Sequence, residues 1–289
     1  MVFTIGGYDI RENTVDRTVK AIAQAMFKFK QSLSIQSDGG WTEDFFRETQ
    51  EILTAQGGRS LAGVPRLAKP PEIVPEWEKL NTTLAKHIAD LNIPWEDRMR
   101  SDFDAFNRAL IKVAEGVVNS VDTTIWTTMR DDGAIQSFAA TTAWSESNSD
   151  PWGDLLRAKH NIGQRPYNYP TGEIHVHVRE RDMRSIMKFI TDKGASWPRV
   201  SEDTVSNRNG KQGRLGVFEF IVNEALDASR AVVMVPRVAA TWREMVPLRT
   251  ITKVDDMISI LIRSGEIGVL KITDPKAICV IKNTEGSTA

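Results

Sequence analysis

The chain has 289 residues, 41% hydrophobic and 26% charged, which excludes general disorder and, at about 150 residues per domain, suggests two structural units. Lys and Arg total 37 against 38 Asp and Glu, so the net charge of -1 gives no global field for nucleic acid or anionic membrane, and such binding must be local. The single Cys279 excludes an intramolecular disulfide and any multi-cysteine zinc or iron–sulfur site within one chain.

Met1 to Ile10 lack the basic start and apolar core of a signal peptide, and no run approaches the ~18 apolar residues of a membrane span, so synthesis in the cytoplasm without membrane contact is expected. Over residues 14–33, Val15, Val19, Ile22, Ala23, Met26 and Phe29 recur at steps of three and four, which predicts a short amphipathic helix. Asp38, Gly39 and Gly40 end it. Residues 50–94 then carry Gly57, Gly58, Gly63 and prolines at 65, 70, 71 and 75, which central sheet and long helix do not tolerate. Within this stretch Leu80 to Ile93 alternate loosely, as a strand or ribbon would. The whole reads as an extended excursion with little core of its own.

The strongest periodicity follows. Phe103, Phe106, Leu110, Val113, Val117, Val121 and Ile125 predict a helix of more than six turns, about 40 Å long, capped by Ser101 or Asp102 and stopped by Asp131-Asp132-Gly133. Residues 134–149 have no clear period and read as a loop. Asp150-Pro151 opens a second helix over 152–162, with Asp150 as cap and Pro151 at the favoured first position. Period two then appears, with Ile174, Val176 and Val178 on one strand face and Glu173, His175, His177 and Arg179 on the other. A helix is expected over 181–194, a loop over 201–213, and strands over 214–222, 231–235, 248–252, 257–264, 268–272 and 277–282. Helices come first and strands accumulate late, an α+β order.

Chemistry is sparse. His175-x-His177 is a spacing that holds zinc or copper if a third ligand arrives from elsewhere, but Glu173 and Arg179 beside it make a polar, partly solvated or intersubunit face the plainer reading. His87 and His160 have no ligand spacing to anything nearby. Gly210, Gly213 and Gly216 lack the Gly-Lys-Ser/Thr ending and the helix of a phosphate loop, so they read as a turn entering a strand. No Gly-x-Ser-x-Gly elbow occurs, and Cys279 lies in an apolar run where a thiol stays protonated. No catalytic residue, cofactor or metal is assigned, and an enzyme is not expected. Between Arg157 and Arg214 twelve Lys and Arg face six Asp and Glu, a weak local excess dispersed over several elements rather than a specific nucleic-acid site. Eight Trp against three Tyr is unusual, and Trp favours energetically dominant interface positions.

The order of parts, with Ile93-Pro94-Trp95-Glu96-Asp97 ahead of the long helix, Asp150 to Lys159 opening the next unit, and Asp274-Pro275-Lys276-Ala277-Ile278 before the last strand, resembles the major capsid protein of tailed double-stranded DNA viruses, of the Hong Kong 97 type. The resemblance covers nearly the whole chain. It implies an N-terminal arm (1–44), an extended loop or E-loop (45–100), a peripheral domain of the spine helix (101–131) with 240–289, and an axial domain (132–239). It further implies a shell subunit that assembles with itself into hexamers and pentamers of an icosahedral capsid around packaged DNA. The DNA would be held by weak non-specific contacts. Portal and scaffold or decoration proteins would be partners, the location the virion capsid, and the place of assembly the host cytoplasm.

An encapsulin-like nanocompartment shell around a cargo enzyme shares the fold and is the alternative. The arm-like helix begins within fifteen residues of Met1, which favours scaffolding by a separate protein over a cleaved leader segment. Lys69 or Lys79 could serve an intersubunit crosslink of the kind some members form, but no Asn or carboxylate aligns with it. An excursion with little core of its own should bury its apolar side chains on another chain, the alternative being that they fold the loop back on its own subunit. Leu61, Leu67, Trp77 and Trp95 are the candidate anchors at that subunit interface, and Arg59 and Arg66 the candidate salt-bridge donors.

Overall fold

The computed structural model describes residues 2–5, 8–37, 39–40, 42–48, 68–69, 77–94, 96, 104–146, 148–163, 173–192, 211–255 and 258–285. A two-stranded ribbon, β1 (Val2–Ile5) with β2 (Tyr8–Arg11), leads into helix α1 (Glu12–Met26). The helix expected over 14–33 therefore stops early. Its last residues form a 3-10 turn, Phe29–Ser32, because the backbone amides of Lys28 and Phe29 donate to the buried Asp122 carboxylate at 3.0 and 3.3 Å instead of continuing the helical ladder.

Strand β3 (Ser34–Ser37) follows, then β4 (Thr42–Glu48), which pairs antiparallel with β5 (Trp77–Thr83) to form the base of the excursion. Strand β6 (Ala85–Pro94) departs from the expectation of a coreless segment. It pairs with the hairpin strand described below along its whole length and buries His87 and Ile93. The weak apolar alternation there reflects an edge strand with one solvated face.

Helix α2 (Asp104–Asp131) is the predicted long helix, about 42 Å at 28 residues. It buries Leu110, Val113, Val117, Val121 and Ile125, and it stops where the Asp132 carboxylate accepts the Ala134 amide. Strand β7 (Gln136–Ala139) lies where a loop was expected. Its partner is at the far end of the chain, so nothing local in the sequence announces it. Helix α3 (Pro151–Gly163) starts as predicted, with the Gly153 amide on Asp150 Oδ1 at 3.0 Å. Strand β8 (Ile174–Val178) and helix α4 (Glu180–Asp192) follow.

The expected strand 214–222 is two strands, β9 (Lys211–Leu215) and β10 (Phe218–Val222), turned by Gly216 at φ 62°. After β11 (Arg230–Met234), the three short strands expected over 248–272 prove to be one long hairpin of β12 (Ala240–Asp255) and β13 (Ser259–Ile272). Register shifts on either side of Val246 absorb Pro247, which a regular ladder excludes. A 3-10 turn, Pro275–Ala277, precedes β14 (Ile278–Lys282).

Besides the β1–β2 and β4–β5 ribbons, two larger sheets form among the described residues, in an α+β arrangement. One has the order β3-β12-β13-β6, with α1 against β12 and α2 across β6 and β13; the other has the order β7-β14-β11-β8-β10-β9, with α3 against β14 and β11. The closing strand β14 thus sits in the six-stranded sheet with the elements of 132–239, not in the sheet of β12 and β13. One continuous apolar core runs beneath both sheets. No helix among the described residues is long and apolar enough to cross a membrane.

Candidate assembly site and buried junction

The base of the excursion is fixed to the body by one side chain. Arg47 of β4 donates from Nη1 to Asp132 Oδ1 at 3.2 Å and from Nη2 to Asp132 Oδ2, and its Nε reaches the Ile272 carbonyl at 3.3 Å. Such a fork-to-carboxylate pair fixes orientation as well as distance. Farther along the ribbon Asn81 donates to Asp44 at 2.7 Å and Lys79 pairs with the same carboxylate, while Phe46 stands exposed. Of the anchors expected from sequence, Arg59, Leu61, Arg66, Leu67 and Trp95 lie outside the described residues. Trp77 is placed by its backbone alone, opposite Glu48 at the start of β5.

Sequence reasoning passed over a second set of outward apolar side chains. Ile88 of β6, Ile251 of β12 and Ile258 at the hairpin tip are exposed. Ile251 and Asp90 are both register partners of Arg263, whose guanidinium is bound to the Asp90 carboxylate. From Pro247 to Lys253 exposed and buried positions alternate along β12, with Ile251 on the exposed side.

Residues 27–32 bind three bodies together. Asp122 of α2 receives two of their amides, as described above. Burial pushes its carboxyl up to about 7 despite those bonds and the nearby Lys28 and Lys30. Lys30, itself buried, reaches Glu244 at 2.8 Å and also pairs with the fully buried Glu266, which in turn accepts the Trp242 indole N–H at 2.7 Å. Burial raises the Glu266 carboxyl above its usual range while Lys30 opposes the shift.

Ser32 points to the other sheet. Its Oγ lies 2.7 Å from His175 Nδ1 and 2.8 Å from His177 Nε2, and Phe29 stacks on the His177 ring at 4.5 Å. The reading of His175 and His177 as a partly solvated or intersubunit face is therefore corrected, since both rings are buried against residues of the same chain. All five residues of β8 are buried, the polar positions against this segment, so its alternation marked two kinds of core rather than core and solvent. Burial drives the His177 pKa down to about 3, leaving a neutral ring.

On the same sheet face His175 Nε2 lies 3.4 Å from Glu219 Oε2 and 3.8 Å from Glu173 Oε1. His87 is buried with Nδ1 on Ser120 Oγ at 2.9 Å. The Cys279 thiol is pushed up to about 11 by burial and stays protonated.

The phage capsid protein family model matches residues 77–281 of the chain. No curated protein sequence matches it. Among solved structures, a virus-like particle from Pyrococcus furiosus is similar at 10% identity and TM-score 0.64, over 93% of this chain and 98% of that one. The capsid of Ralstonia phage GP4 is similar at 12% identity and TM-score 0.61, over 91% and 93%. A Mycobacterium phage Che8 chain is similar at 14% identity and TM-score 0.57, over 92% of each.

Proposed function

Because this chain belongs to the phage capsid protein family and has the Hong Kong 97-like fold, we propose that it is the major shell subunit of a tailed phage. It assembles into hexamers and pentamers that close around double-stranded DNA. The observation that carries this reading is the geometry of the excursion. A two-stranded ribbon of β4 and β5, latched to the body by Arg47 and Asp132, forms the base on which the excursion is built. Leu61, Leu67, Trp77 and Trp95 then bury apolar area on the neighbouring subunit, with Arg59 and Arg66 pairing to its carboxylates.

In this reading residues 1–44 form the arm and 45–100 the E-loop, while 101–131 with 240–289 are peripheral and 132–239 axial, except that β14 completes the axial sheet. The role is structural and not enzymatic. Portal and scaffold or decoration proteins are the further partners, and assembly takes place in the host cytoplasm.

The likeness to a virus-like particle from Pyrococcus furiosus supports a second reading, a nanocompartment shell around protein cargo. Particle contents decide between them. Particles made together with the neighbouring gene products, treated with nuclease and then opened, release protected double-stranded DNA if the shell is viral. A single co-purifying cargo protein without DNA identifies a compartment.

A further inference from the structure

We propose that Glu173, His175 and Glu219 form a site for one divalent cation of the zinc class. The parallel register of β8 with β10 sets Glu219 directly beside His175, and Glu173 lies two residues earlier on the same face of the chain. One ligand atom from each of the three falls within 4.8 Å of the others. His175 Nε2 stands 3.4 Å from Glu219 and 3.8 Å from Glu173. Tetrahedral ligands at the ~2.0–2.1 Å bond lengths of zinc are about 3.4 Å apart, so a cation enters with small side-chain adjustment. Calcium bonds also give comparable ligand separations, but calcium and magnesium take oxygen ligands, and the imidazole at the centre of the trio selects a borderline cation instead.

The second observation lies on the far side of the ring. A ligating imidazole characteristically has its other nitrogen held by a hydrogen bond that fixes tautomer and orientation. Here Nδ1 of His175 is held by Ser32 Oγ at 2.7 Å, and the same oxygen lies 2.8 Å from His177 Nε2. One hydroxyl has one proton to give. With Nε2 of His175 on the cation, Nδ1–H donates to Ser32 and Ser32 donates to Nε2 of His177, while Nδ1–H of His177 has no partner among the described residues. The metal thereby fastens β8 to β10 and, through Ser32, orders the segment that joins the two sheets.

Glu173 is 47% exposed at its side chain, and water would supply the remaining ligand. Register also places Arg214 of β9 opposite Glu219.

The test uses the full chain, stripped with a chelator and titrated at pH 7.5 by calorimetry with zinc, calcium and magnesium chlorides in turn. The expected result is saturable uptake of about one zinc per chain, no heat with calcium or magnesium, and a zinc-dependent rise in Tm of about 5 °C at a hundredfold excess over Kd. Cobalt in place of zinc should give the visible absorption of a tetrahedral site. Glu173→Gln, at an exposed position, should keep the metal-free Tm and weaken zinc at least tenfold, and Ser32→Ala should weaken it by a similar factor. Zinc uptake that is absent, or unchanged in both Glu173→Gln and Glu219→Gln, overturns the proposal and leaves the trio as an ion-pair network.

Discussion

Arg47 grips Asp132 with two nitrogens on two carboxylate oxygens, joining the strand that leaves for the excursion to the residue that ends the long helix α2. Both side chains are largely buried, so the pair is screened less than a surface contact. Its third bond, to the Ile272 carbonyl at the end of β13, makes Arg47 the corner where ribbon, helix and hairpin meet.

If this corner sets the angle of the ribbon, loosening it changes assembly more than folding. Arg47→Ala should cost the isolated subunit about 2 kcal/mol. A double-mutant cycle with Asp132→Ala should return a coupling of about 1–2 kcal/mol. Particles from either variant should be heterogeneous in diameter by electron microscopy. Uniform particles of parental size would show that the latch does not control the ribbon.

Asp122 predicts a pH dependence with a definite sign. Its pKa is raised to about 7 in the folded chain by burial, against about 3.9 when unfolded. The folded state therefore holds this proton more tightly. The stability it contributes is complete below about pH 4 and is lost as pH rises through 7, at most about 4 kcal/mol. Asp122→Asn should remove that slope, and the Tm difference between variant and parent should shift in favour of the variant between pH 4 and 8. Asp182, raised to about 6 by burial, has the same sign but is present in both proteins and cancels. Parallel Tm curves would contradict the assignment.

Gly268 is a packing requirement. A Cβ there would lie 2.7 Å from Trp242 Cζ2 and 2.8 Å from the Arg243 carbonyl, and neither the buried indole nor the backbone of β12 has room to yield. Gly268→Ala should cost about 2 kcal/mol and lower Tm by about 4–8 °C. Gly133→Ala, where a Cβ meets nothing within 4 Å, should stay within about 0.5 kcal/mol of the parent.

What the sequence disclosed follows from which forces act locally. The period of α2 and the Asp150 cap of α3 are properties of neighbouring residues, and both elements were legible. Strand β7 and the length of β12 depend on partners more than a hundred residues away or on the opposite arm of a hairpin, and local pattern is blind to them. Ser32 illustrates the same limit at the site. Nothing near position 32 in the chain announces His175 and His177, which lie 143 and 145 residues away. The histidine pair was visible as a motif, but its burial was not, because β8 is covered on both faces and alternates polar and apolar core. The Arg47 latch likewise joins residues 85 positions apart.

Trp77 tests the interface directly. Trp77→Ala should abolish or slow assembly while leaving the Tm of the unassembled subunit within about 2 °C of the parent, because an interface anchor contributes little to its own chain's core. A subunit that unfolds on this substitution would place Trp77 in the fold rather than at the interface.

Self-assembly is the central claim, and its most direct measurement is negative-stain electron microscopy with light scattering on the chain expressed alone and with its neighbouring gene products. Many modest contacts sum through multivalency, so assembly should be steep in protein concentration and sensitive to salt. Closed particles, or rings of five or six subunits, are the expected result. A monomer or small dimer at every salt and protein concentration would contradict it.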